Sequence, residues 1–144
     1  MDTDTDNKNG PHILVIDDNL NEVKTLIIGL GLEGFQVEGA GDGQKALEML
    51  AKKKYDMALI DLMMPEINGI QLARKIRQDY PDVTTVLMSA FNLSPVQIAK
   101  ADLGVVGFVT KPFRFEKLVE MIKSKLENRN GGKIEFVSSP SYAF

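Results

Sequence analysis

Residues 56–61, DMALID, form an almost uninterrupted apolar run that ends on a carboxylate, Asp61. A run of this kind suits a strand covered on both faces, as in a parallel sheet, better than a strand with one wet face. Working outward, shorter or similar runs recur at 12–17 (HILVID), 36–40 (QVEGA), 84–89 (TTVLMS) and 105–109 (VVGFV). Segments of helical period lie between them. One begins near Asn19, with Asn19 and Glu22 at cap and N3 spacing, and carries Val23, Leu26, Ile27 and Leu30 on one face. Others cover about 43–53 and 69–79. Ser94-Pro95-Val96-Gln97 reads as a capped start with proline at the first helical position. Residues 114–127 place Phe115, Leu118, Val119, Ile122 and Leu126 on one stripe. Five β-then-α units in succession predict a parallel sheet with helices on both faces. In such sheets the ligand site lies outside the carboxyl ends of the strands.

The bulk properties agree with one compact domain. The chain has 144 residues, 44% hydrophobic and 26% charged, which is the composition of a globular protein. No apolar run is long enough to span a bilayer, and the acidic, polar N-terminus does not resemble a secretory leader. The absence of cysteine excludes disulfides, thiolate zinc sites and thiol nucleophiles, and a cytoplasmic location is expected. A net charge of −3 argues against nucleic acid as the main partner, since neutralising phosphates needs a basic face. Residues 1–11 read as a flexible leader, 12–127 as the domain, and 128–144 as a polar linker followed by an aromatic-bearing tail.

The chemistry resides in the residues that end the runs. The first run supplies Asp17 and Asp18, the third Asp61, the fourth Ser89, and the fifth is followed by Lys111-Pro112. Carboxylates brought that close repel one another unless a cation offsets them. Hard oxygen donors suit Mg²⁺, which takes one or two carboxylates and keeps several waters. A metal and a lysine to neutralise phosphoryl oxygens, with an aspartate as nucleophile, are the requirements of phosphoryl transfer. Taken singly, each residue has an ordinary explanation: a cap, a turn residue or a surface lysine.

Taken together, the residues resemble the receiver domain of the two-component response regulator family, across about 12–126. The matching motifs are Ile16-Asp17-Asp18, Asp61-Leu62-Met63-Met64-Pro65 with Asn68-Gly69, Ser89-Ala90, Gly104, Gly107-Phe108 and Lys111-Pro112-Phe113. The resemblance implies a doubly wound, flavodoxin-like (βα)5 three-layer sandwich with a five-stranded parallel sheet in the order 2-1-3-4-5. It implies that Asp61 is the phosphoacceptor and that Asp17, Asp18 and Asp61, with the Met63 backbone carbonyl, hold Mg²⁺ or Mn²⁺. It further implies that Lys111 contacts the phosphoryl group, that the Lys111–Pro112 bond is cis, and that Ser89 and Phe108 are the switch pair. The donor would be a histidine kinase or histidine phosphotransfer domain. Output would pass through protein–protein contact, from a monomer or a phosphorylation-dependent dimer. Such a protein is not a conventional enzyme, but it catalyses its own aspartyl phosphorylation and dephosphorylation.

Phe108 lacks the phenolic hydroxyl of a tyrosine, so an outward ring would make no such hydrogen bond to a partner. Met63, two residues after the acceptor, is expected to shield an acyl phosphate from water or simply to cover apolar surface. The competing readings are an interaction module that has the receiver fold but does not use phosphorylation, and a metal-dependent phosphatase. Gly29-Leu30-Gly31-Leu32-Glu33-Gly34 matches the dinucleotide pattern G-x-G-x-x-G, but it sits at the end of the first helix instead of opening it, so Gly34 reads as a helix stop. His12, the only histidine, lacks the helical context of a phosphodonor. Residues 134–137 could add a strand to an edge or to another subunit, or remain a terminus without fixed structure.

Overall fold

The computed structural model describes residues 10–64, 68–91, 93–129 and 133–138. Most of the leader, Pro65 and the aromatic end of the tail lie outside the described residues. The strands are β1 (His12–Ile16), β2 (Gln36–Ala40), β3 (Met57–Asp61), β4 (Thr84–Ser89), β5 (Gly107–Thr110) and β6 (Glu135–Val137). The helices are α1 (Leu20–Leu32), α2 (Gly43–Lys52), α3 (Gly69–Asp79), α4 (Pro95–Ala101) and α5 (Phe115–Glu127). All strand pairs are parallel, in the order β2-β1-β3-β4-β5-β6. The first five strands follow the expected order, and among the described residues the sheet has six strands where five were expected.

Strand alternation divides the core in two. Ile13, Val15, Leu59 and Met88 face α1 and α5, where Leu26, Leu30, Leu118 and Ile122 meet them. Leu14, Ile16, Ile60 and Leu87 face the other layer, with Leu50, Leu72, Ile76 and Ile98. Every residue of β3 and β4 is buried, which is why their sequences are near-continuous apolar runs.

The helix ends follow from local chemistry. Asn19 caps α1 by accepting from the backbone N–H groups of Asn21 and Glu22. Gly34, at φ +100, closes the same helix: the Phe35 N–H reaches the Leu30 carbonyl and the Gly34 N–H the Gly31 carbonyl. Ser94 and Gln97 form a reciprocal capping box at α4, with Pro95 at its first position. The buried face of α5 takes in Met121 and Lys125 as well as Leu118, Val119 and Ile122, so it is wider than the stripe read from the sequence.

β5 begins at Gly107, two residues later than the apolar run suggested. Gly104, at φ +74, turns the chain, and the Val106 N–H already bonds the Thr85 carbonyl before regular pairing starts. Beyond α5 the chain returns to the outer edge of β5. Gly107, Phe108 and Val109 pair there with Glu135, Phe136 and Val137. An open edge presents unpaired backbone groups, and β6 satisfies part of that row.

Candidate functional site

The chain runs from β1 outward to β2 and then crosses back to β3, so the order of the sheet reverses between β1 and β3. That reversal leaves a crevice at the carboxyl ends of the two strands. Asp17, Asp18 and Asp61 come together there, offering carboxylate oxygens within 4.8 Å of one another. Asp17 is 1% exposed and Asp61 7%, whereas Asp18 is exposed. Asp17 Oδ1 accepts from the Asn19 N–H at 2.9 Å, which ties the carboxylate to the start of α1.

The loop after β3 is held close by α3. The Gly69 N–H donates to the Leu62 carbonyl at 2.8 Å. A Cβ on Gly69 would lie 2.5 Å from the Asp61 carbonyl oxygen and 2.7 Å from Leu62 Cα, so only glycine lets the first turn of α3 sit on the backbone of the acidic residue.

Lys111 reaches the acidic group from the end of β5. Its backbone N–H donates to the Ser89 carbonyl at 2.7 Å, joining the ends of β4 and β5. Its Nζ lies 2.8 Å from Asp17 Oδ2, 3.3 Å from Glu22 Oε2 and 3.7 Å from Asp61 Oδ1. The Lys111–Pro112 peptide bond is cis. Ser89 is fully buried, and its Oγ accepts from the Phe91 N–H at 2.9 Å, which leaves the hydroxyl hydrogen to donate elsewhere.

Burial pushes the Asp61 carboxyl up to about 6; Lys111 pulls it down, Asp17 pushes it up and the Met63 backbone N–H pulls it down. Burial works against the Lys111 ammonium, but the hydrogen bond and charge of Asp17, with Asp61 and Glu22, outweigh it and hold its pKa above the ordinary lysine value. The lysine therefore carries its charge throughout the neutral range.

Met63 is 55% exposed in the loop after β3. Phe108 is 1% exposed, packed in the layer that holds Leu87, Ile98 and Leu103. It meets Phe136 edge-on, with ring centroids 6.2 Å apart and planes at 88°. His12 opens β1 and donates its N–H to Asp56 Oδ2, far along the strand from the acidic group. A cleft of about 360 Å³, lined by Asn19, Asn21, Glu22, Lys111, Phe113 and Phe115 among others, opens beside the lysine.

Sequence reasoning missed two charged groups. Glu22 stands at the N3 position of α1, where a capping box would turn its carboxylate back to the Asn19 N–H. Asp17 takes that N–H, and Glu22 binds Lys111 instead. Lys125 is 9% exposed and donates to the Lys133 carbonyl at 3.2 Å. Its place on the buried face of α5, in step with Leu118 and Met121, was the available signal.

The family model described as "Response regulator receiver domain" matches residues 13–123. The response regulator MprA of Mycobacterium leprae is 32% identical over 114 residues, 79% of this chain and 50% of that protein. An uncharacterized transcriptional regulatory protein of Bacillus subtilis, YkoG, is 30% identical over 89% of this chain and 56% of its own length. The chain spans about half the length of these curated relatives. Among solved structures, a Francisella response regulator receiver domain superposes with TM-score 0.77 at 26% identity, covering 84% of this chain and all of that one. The response regulator TrrA of Thermotoga maritima, in complex with Mg²⁺-BeF, gives TM-score 0.71 at 31% identity over 79% of this chain and 97% of its own. With its acidic crevice, its lysine and this match over most of its length, the chain belongs to the response regulator receiver domain family.

Proposed function

We propose that Asp61 accepts a phosphoryl group from a phosphohistidine of a histidine kinase or phosphotransfer protein. A carboxylate oxygen of Asp61 attacks phosphorus, the P–O bond forms as the P–N bond breaks, and the imidazole leaves and takes up a proton. The Lys111 ammonium, 3.7 Å from Asp61 Oδ1, is placed to meet a phosphoryl oxygen, and the Ser89 hydroxyl has a hydrogen to give to another.

The three carboxylates of Asp17, Asp18 and Asp61 fit a divalent cation of the Mg²⁺ class, with the Met63 carbonyl as a further donor. The complex of TrrA with Mg²⁺-BeF supports the same ion here. When bound, it supplies charge that offsets the carboxylates and the phosphoryl oxygens. Ser89 and Phe108 serve as the switch pair, and the phosphorylated state acts through differential affinity for a protein partner. No helix among the described residues is long and apolar enough to cross a membrane. We place the chain in the cytoplasm, where such kinases present their phosphohistidines.

The observation that carries this reading is the lysine shared between Asp17 and Asp61 beside the three-carboxylate crevice. Incubation with acetyl phosphate or phosphoramidate is expected to label the protein only when Mg²⁺ is present, and Asp61→Asn is expected to abolish labelling. A wild-type protein that binds Mg²⁺ but takes no label would favour an interaction module that does not use phosphorylation.

A further inference from the structure

Lys111 holds one oxygen of Asp17, a carboxylate that belongs to the three-carboxylate group. Asp17 Oδ1 is held by the Asn19 N–H, and Asp17 Oδ2 is held by the Lys111 ammonium at 2.8 Å. Asp17 is almost fully buried, so this carboxylate has little room to turn and offer a metal another face. Each oxygen keeps a second lone pair, but a divalent cation in the three-carboxylate group competes with the ammonium for this carboxylate and repels it. The ammonium is itself largely buried, and leaving it without an anion in that setting is costly.

Among the described residues, the carboxylates of Asp61 and Glu22 also lie within its reach. Asp61 Oδ1, at 3.7 Å, belongs to the same metal-binding group and cannot serve both cations equally well. Glu22 Oε2, at 3.3 Å, stands outside that group, on the first turn of α1. Its backbone N–H is fixed by Asn19, and Asp17 has taken the N–H that would otherwise hold its side chain. Its side chain is partly exposed, so it can hold the ammonium without being a buried charge itself when alone.

We propose that Glu22 is a positioning residue that receives the Lys111 ammonium when a divalent cation takes Asp17, and so sets the affinity of the acidic crevice for that cation. The inference rests on the metal site proposed above. Glu22 acts through Lys111 and does not touch the metal. An ammonium parked on Glu22 also stays beside Asp61, ready for a phosphoryl oxygen.

The test is Mg²⁺ affinity, measured by calorimetry on the full chain with no phosphodonor. Glu22→Gln is expected to weaken Mg²⁺ binding by about 3- to 10-fold. Glu22→Asp keeps the charge but shortens the reach, and is expected to weaken it similarly. In a Lys111→Met background, where there is no ammonium to park, Glu22→Gln is expected to change the affinity by less than about 2-fold. Circular dichroism should show the same folded content for all variants.

Three results would overturn the proposal: wild-type affinity in Glu22→Gln, wild-type affinity in Glu22→Asp, or an undiminished effect of Glu22→Gln in the Lys111→Met background. The last two would reduce Glu22 to its contribution to the local field. A wild-type chain that binds no Mg²⁺ at all would instead refute the metal site on which the inference rests.

Discussion

The crevice at the ends of β1 and β3 and the outer edge of β5 are both places where the sheet would otherwise stop with unmet groups, and the chain finishes them in opposite ways. At the crevice, three carboxylates and an ammonium are gathered with little water around Asp17 and Asp61. The arrangement costs stability, because like charges are held together and one carboxyl is pushed up to about 6. At the edge, β6 adds backbone pairing and an apolar ring contact between Phe108 and Phe136. That arrangement stabilises, and it needs no particular chemistry beyond chain length and one aromatic. A site that works on charge depends on residue type; an edge that only needs closing depends on geometry.

The sharpest way to break the crevice is to move its backbone. Gly69→Ala would drive a Cβ to 2.5 Å from the Asp61 carbonyl oxygen, with backbone and not a flexible side chain in the way. A loss of roughly 3 kcal/mol is expected in urea unfolding, the upper part of the usual overpacking range. An unchanged midpoint would mean that the first turn of α3 does not need that approach.

The crevice also predicts a gain. The Asp61 pKa is raised from the ordinary 3.8 to about 6, so the folded state holds that proton more tightly than the unfolded chain does. The associated stability is fully present below the unfolded pKa and is lost as pH rises through the folded one. Without metal at neutral pH, Asp61→Asn should therefore stabilise by about 2 kcal/mol, and the gain should fade toward pH 4. Thermal unfolding of the two proteins across that range measures it. A variant no more stable than wild type at neutral pH would show that ionised Asp61 is fully compensated.

The edge should respond more mildly. Phe136 is 37% exposed, so Phe136→Ala should cost about 1 kcal/mol, well short of a core aromatic. Hydrogen exchange at the Phe108 amide should rise with it, because β5 would lose part of its outer neighbour. Smallest of all, Glu135→Gln should change stability by less than about 0.5 kcal/mol, since Glu135 Oε1 lies 3.8 Å from Lys125 Nζ and its side chain is well exposed. A larger effect would place the hold on β6 in that ion pair and not in its backbone and ring contacts.

What the sequence disclosed follows the same division. Buried parallel strands need long apolar runs, so β3 and β4 were legible to within a residue, and 69–79 emerges as α3 with the expected ends. Caps are local chemistry, so Asn19 and the Ser94–Gln97 pair were legible too. The crevice residues could be named because their types recur at strand ends, and the fold brings Asp17, Asp18, Asp61 and Lys111 together. β6 was one of several readings of a short tail, since three residues with one aromatic carry no period and its pairing is fixed by where α5 ends. Glu22 was read as a capping residue because spacing along one helix says nothing of a lysine 89 residues away.

The central claim is that Asp61 itself carries the phosphoryl group. After reaction with acetyl phosphate and Mg²⁺, reductive trapping with borohydride and mass spectrometry of the peptides reads the modified residue directly. The account predicts one modified position, Asp61, lost on omission of Mg²⁺. Modification at Asp17 or Asp18, or an unmodified Asp61 in a protein that binds Mg²⁺, would contradict it.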